Sequence, residues 1–157
     1  GADMETVILD RRLDAPAQGT LVHRLLEVAD RMKPDEIERY GTLLLEREGL
    51  NVPVDQVMRI VTAIMDNPVY QRSLSAERVY RELPLVFRHE EGVVHGIIDL
   101  LFREGGKWVL ADYKVIMDPA KADRDSLKEK YQGQMELYAM GLKKLGIEVD
   151  DKVLVIG

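Results

Sequence analysis

The chain has 157 residues, 46% of them apolar, enough for one folded domain with its own core rather than a disordered chain. It contains no cysteine, which excludes disulfides, zinc ribbons and cysteine-ligated iron–sulfur clusters. The net charge of −6 argues against non-specific nucleic-acid binding by this chain alone, so any such function needs a local patch, a metal or a second protein.

Gly1–Asp3 ahead of Met4 reads as a cleavage remnant, and the chain stops on an uncapped apolar strand. Residues 1–157 are therefore expected to be a single domain cut from a longer polypeptide. In QGTLVHRLLEVADRM, residues Leu21, Val22, Leu25, Leu26, Ala29 and Met32 recur at helical spacing. PDEIERYGTLLLEREG opens on Pro34 and closes on Gly49, the residue types favoured at helix starts and ends. PVDQVMRIVTAIMDN predicts a third helix, closed before Pro68. The period then changes to two in ERVYRELPLVF, where Pro84 suggests an edge or a bulge. HGIIDLLFREGGKWVLADYKV reads as a hairpin turning at Gly105-Gly106, and IMDPAKADRDS as a polar loop. LKEKYQGQMELYAMGLKKLG predicts a long helix with Tyr131, Met135, Tyr138, Leu142 and Leu145 on one side and Gly146 as its cap. KVLVI is a short apolar strand of the buried kind. The closing strand–helix–strand is long enough for a parallel crossover. The class is α/β: a mixed central sheet in the order helix, three strands, helix, strand, with two extra N-terminal helices. No apolar run approaches the roughly 18 residues that span a bilayer, and no signal peptide is visible, so a cytoplasmic location without membrane contact is expected.

Folding the hairpin symmetrically about its glycines sets Glu104 against Lys107, Phe102 against Val109 and Asp99 against Asp112. Like charges directly opposite one another destabilise a strand pair. Side chains alternate along a strand, so Lys114 shares the Asp112 face with Trp108 and Leu110. Two acids and one lysine then converge on a partly apolar patch. A divalent cation removes the repulsion, and oxygen ligands suit Mg²⁺ or Mn²⁺. The lysine can then hold or deprotonate a water aimed at phosphorus. The competing reading leaves each of these residues on a solvated strand face, and a three-residue loop would shift the register and separate the acids. His23 points away from the Leu21/Leu25/Met32 stripe, and its spacing alone reads as a surface histidine. His95 lies four residues along from Asp99 and is a weak alternative ligand. Tyr131 and Tyr138 fit a helix core.

QGTLVHRLLE, GIIDLLF, GGKWVLADYKV and YQGQMELYA come in that order along the chain, and the set resembles the RecB-type branch of the PD-(D/E)XK nuclease superfamily. The resemblance is greatest to the nuclease domain at the C-terminal end of AddA-type helicase–nucleases, and it involves most of the chain. It implies a restriction-endonuclease-like core and a divalent-metal-dependent nuclease hydrolysing phosphodiester bonds, with exonuclease activity in double-strand break repair. It implies His23 as a metal ligand, Asp99 and Asp112 as carboxylate ligands and catalytic residues, the Tyr113 backbone carbonyl as a further ligand, and Lys114 as the residue that positions or activates water. Gln134 and Tyr138 match a Q-x-x-x-Y element whose i, i+4 spacing puts both on one helix face, near the site or the DNA. Glu82, in RELPL, matches an acidic position of the first core strand. Lys121 and Arg124, with Lys128 and Lys130, form the basic cluster nearest the expected site. The implied substrate is single-stranded DNA delivered by a helicase domain, and a second nuclease subunit is the further partner implied. The family usually places Thr after the lysine, where this chain has Val115, expected to point away from the Asp112/Lys114 face. The rival function is a degenerate nuclease fold that only binds DNA or another subunit.

Overall fold

The structure, a computed structural model, describes residues 5–9, 17–115 and 124–157. Strand β1 (Glu5–Leu9) precedes helix α1 (Ala17–Val28), which runs into a 3-10 turn at Ala29–Arg31. Helix α2 (Pro34–Glu48) starts as Pro34 implied. The Glu36 carboxylate accepts the Lys33 N–H at 3.0 Å, and Gly49 closes the helix with φ of 65°. Helix α3 (Val54–Met65) is followed by the short helix α4 (Pro68–Ser73). Strands β2 (Arg78–His89), β3 (Gly92–Glu104) and β4 (Lys107–Lys114), helix α5 (Arg124–Lys144) and strand β5 (Val149–Ile156) complete the described chain. Among the described residues no helix is long and apolar enough to cross a membrane.

The architecture is the expected α/β core with a mixed sheet, to which β1 and α4 are added. The sheet has five strands in the order β1-β3-β4-β5, with β2 along the other edge of β3. Strand β5 runs parallel to β4, as the crossover implied. Gly105 and Gly106, with φ of 56° and 77°, form the two-residue hairpin turn. The β3–β4 ladder has the symmetric register, from Glu104↔Lys107 to Leu100↔Ala111. It stops there, one step short of Asp99 and Asp112. Beyond that point β3 gives the same edge to β1, which pairs in parallel with Gly92–Gly96. Residues 97–99 therefore lie in a fork between β1 and β4.

The two faces of the sheet carry separate apolar clusters. Leu100, Phe102, Val109 and Tyr113 pack with Leu25, Val61 and Tyr70 of the helices that precede the sheet. Leu85, Ile98, Leu101 and Leu110 pack with Met135, Tyr138 and Leu142 of α5. Ile98 and Leu100 are two residues apart yet face opposite sides, so β3 reverses phase between them. Strand β2 does the same: Tyr80 and Leu83 both join the α5 cluster, although alternation would separate them. The pairs Arg81↔Leu100 and Leu83↔Ile98 keep the strands in step across the reversal. The residues at the reversal are Glu82, with φ of 51°, and Asp99. Pro84 signalled an irregularity in β2, and it lies two residues earlier.

Helix α5 approaches β3 closely at Gly96. A Cβ there would lie 2.5 Å from the Tyr138 ring and 2.8 Å from its hydroxyl. Gly96→Ala is expected to destabilise the fold by about 1–3 kcal/mol through overpacking. Urea denaturation measures this, and an unchanged midpoint would show that Tyr138 moves aside freely.

Candidate active site

The fork and the phase reversal bring three donors together. His23 is carried by α1, and its neighbours Leu21, Val22, Leu25 and Leu26 are all buried. The helix is thus covered on more than one side, and His23 is 6% exposed rather than on the surface as its angle from the apolar stripe suggested. Its ring stacks on Tyr113, with centroids 6.1 Å apart and planes at 29°. His23 Nδ1 lies 3.2 Å from Asp99 Oδ1 and 3.8 Å from Glu82 Oε1. One donor atom from each of His23, Glu82 and Asp99 lies within 4.8 Å of the other two. The second Asp99 oxygen, Oδ2, accepts the Tyr113 backbone N–H at 2.6 Å. That bond occupies the gap where β4 has left the β3 ladder, and it fixes the carboxylate.

This arrangement is costly unless something rewards it. A non-glycine residue in the left-handed region costs roughly 1–2 kcal/mol. Two buried carboxylates facing each other across paired strands add repulsion. Backbone strain and buried like charges are features that cluster at functional sites. An imidazole nitrogen with two carboxylates is also a donor set that fits a hard divalent cation such as Mg²⁺ or Mn²⁺. The phenol of Tyr113, in the wall of the site, is pushed well above its ordinary pKa by burial and then by the Asp99 charge, so it stays protonated.

The other expected residues are distributed around this group. Asp112 is buried in β4, next to Tyr113 and opposite Leu154 of β5, outside the three-donor group. Lys114 ends β4; its Nζ donates to Tyr131 Oη at 3.0 Å and lies 5.1 Å from the centroid of that ring. Lys114 therefore faces α5, with Trp108 and Leu110, as alternation required. Val115 packs with the opposite, helix-covered cluster. Gln134 and Tyr138 meet on α5, where the Gln134 amide donates to Tyr138 Oη at 3.0 Å, and Tyr138 is buried against Gly96. His95 is exposed on β3, paired with Ile8 and Val86. Lys121 lies outside the described residues. Arg124 opens α5, and its side chain lies outside them too. One contributor had no sequence signal. Tyr131 sat in the apolar stripe of its helix, so spacing could not reveal that its hydroxyl holds Lys114.

Residues 2–154 match the PD-(D/E)XK nuclease superfamily. The chain is similar to an ATP-dependent helicase/nuclease protein of Heliobacterium modesticaldum, 28% identical over 176 residues that cover 94% of this chain and 12% of that protein. It is 30% identical to the ATP-dependent helicase/nuclease protein of Anoxybacillus flavithermus over 156 residues, 87% of this chain and 12% of the relative. With the one from Clostridium kluyveri it shares 40% identity over 91 residues, 57% of this chain and 7% of the relative. The chain thus spans no more than 12% of the length of these curated relatives. A match over nearly the whole chain, on a mixed sheet with a buried histidine and acidic residues at a strand fork, shows that the chain belongs to the PD-(D/E)XK nuclease superfamily.

Proposed function

We propose that this domain is a divalent-metal-dependent DNA nuclease that hydrolyses phosphodiester bonds, with exonuclease activity inside an ATP-dependent helicase–nuclease for double-strand break repair. The observation that carries the reading is the buried convergence of His23, Glu82 and Asp99. His23, Glu82 and Asp99 would hold Mg²⁺ or Mn²⁺, with Asp112 and the Tyr113 backbone carbonyl as further oxygen donors. Such an ion supplies positive charge against the phosphate and makes water a better nucleophile. Lys114 Nζ orients the attacking water, and its positive charge favours loss of that water's proton to solvent. The water oxygen bonds to phosphorus as the ester P–O bond breaks, and the leaving sugar oxygen takes up a proton from solvent. Asp99 is held by the Tyr113 amide, so its carboxylate needs little reorganisation during the reaction.

The substrate in this reading is single-stranded DNA, with Gln134 and the basic residues Lys121 and Arg124 as its proposed contacts, while Tyr138, buried against Gly96, supports Gln134. The domain is one piece of a longer, cytoplasmic helicase–nuclease chain, and its further partner is a second nuclease subunit. Charge supports delivery by a motor domain. The chain has 28 acidic and 22 basic residues, and phosphate neutralisation supplies most non-specific affinity. The isolated domain is expected to bind DNA weakly and to cleave it in Mn²⁺ or Mg²⁺, with cleavage abolished by EDTA. Tight, salt-sensitive binding in a filter or anisotropy assay would contradict delivery by a partner. Absence of cleavage, together with a melting temperature that Mn²⁺ does not move, would leave the chain a non-catalytic DNA- or subunit-binding module.

A further inference from the structure

We propose that Arg81 is a positioning residue for the His23–Glu82–Asp99 cluster, clamping the helix layer to the strand reversal that presents Glu82. The inference rests on the metal-dependent reading of that cluster. Arg81 is almost buried, with its side chain 9% exposed. Its guanidinium touches two elements besides its own strand. Nη2 donates to Ser73 Oγ at 2.9 Å, and that hydroxyl donates to the Tyr70 carbonyl at 2.6 Å, both in α4. Nε lies 3.6 Å from Asp30 Oδ2 in the 3-10 turn that extends α1. The guanidinium carbon sits 4.8 Å from the centroid of the Tyr70 ring.

The Asp30 contact and the place of Arg81 in β2 both bear on the ligands. Asp30 follows His23 by two helical turns (30 − 23 = 7 residues), so anchoring it sets the position of α1 along its axis. Glu82 is the next residue after Arg81, and its left-handed backbone must be held by its surroundings. Arg81 pairs with Leu100, the neighbour of Asp99. Its charge is also felt at Tyr113, which stacks on His23 and donates to Asp99. A buried cation is an expensive way to fill space, and an apolar residue would pack there at lower cost. One planar guanidinium donates to Ser73, lies within ion-pair distance of Asp30 and covers the Tyr70 ring, a combination that neither an apolar residue nor a lysine supplies.

The test is Mn²⁺ titration of the full chain by calorimetry, at a temperature where every variant is folded. Arg81→Met is expected to weaken Mn²⁺ binding about 10-fold, the low end of losses when an outer partner of a metal ligand is removed. Arg81→Lys and Ser73→Ala are expected to give smaller losses in the same direction, and they carry the comparison if Arg81→Met does not fold. In a Glu82→Gln background, Arg81→Met is expected to add little, because the two act through one element. Lower melting temperatures with unchanged Mn²⁺ affinity in all the variants would overturn the proposal, as would fully additive losses in the double variant. Wild-type protein that binds no Mn²⁺ would overturn the metal reading itself, and the inference with it, before any substitution is compared.

Discussion

Lys114→Ala is expected to lower turnover on single-stranded DNA by about 10²–10³-fold, the usual loss when a preorganised donor at the reacting groups is removed. Metal affinity should stay close to wild type, because an ammonium donates hydrogen bonds and cannot ligate a cation. Lys114 is held ready rather than free. Its Nζ donates to Tyr131 Oη at 3.0 Å, and the ring lies beside it at 5.1 Å. Tyr131 is itself buried in α5, so the lysine is fixed between the end of β4 and a packed helix. The substitution also removes the donor to a buried hydroxyl, which should lower stability by about 1 kcal/mol. That loss is too small to mimic a catalytic defect at a temperature where the protein is folded. Two assays on one preparation decide the matter: Mn²⁺ titration and nuclease turnover. Near-wild-type turnover would remove Lys114 from the mechanism. Loss of both metal binding and turnover would make its role structural.

Local pattern was enough for the elements whose signals are local. The two glycines set the hairpin register, and the ladder follows it from Glu104↔Lys107 to Leu100↔Ala111. Pro34 and Gly49 bounded α2, and alternation put Lys114 and Val115 on opposite faces. What was missed has a physical reason in each case. Strand β1 pairs in parallel with a distant part of β3, so no turn residue announces it. Pro68 was read as a stop although it is also a start: Asn67 caps α4 by accepting the Val69 N–H at 2.9 Å, with Pro68 in the first turn. The phase reversal at Glu82 and Asp99 breaks the alternation on which strand-face arguments rest, and it does so in two strands at once. Extending the register by one step set Asp99 against Asp112. The structure ends the ladder before that pair, gives Asp99 Oδ2 to the Tyr113 amide, and sets Glu82 in the three-donor group. Glu82 was legible only through a family resemblance, because no local signal says that a glutamate will adopt a φ of 51°.

His23→Ala separates a metal ligand from a structural partner, because the two roles predict opposite changes in metal affinity. His23 Nδ1 lies 3.2 Å from Asp99 Oδ1 and 3.8 Å from Glu82 Oε1. If the imidazole serves only to hydrogen-bond those carboxylates, removing it frees them for a cation, and Mn²⁺ affinity should stay level or rise. If the imidazole is a ligand, one donor of the set is lost. Affinity should then fall by about 10–100-fold or more, since removing even an outer partner of a ligand costs that much. The fall is the expected result. In both cases the metal-free protein should melt lower, because two buried carboxylates lose a partner worth about 1.5–3 kcal/mol. Stability alone therefore cannot discriminate, and calorimetric titration of Mn²⁺ does. His23→Gln refines the comparison: its amide can still donate to Asp99 but is a poorer ligand than an imidazole nitrogen. Recovery of metal-free stability in His23→Gln without recovery of Mn²⁺ binding would assign the ligand role to the imidazole. Recovery of both would leave His23 as a hydrogen-bond donor and transfer the burden of metal binding to Glu82, Asp99 and Asp112.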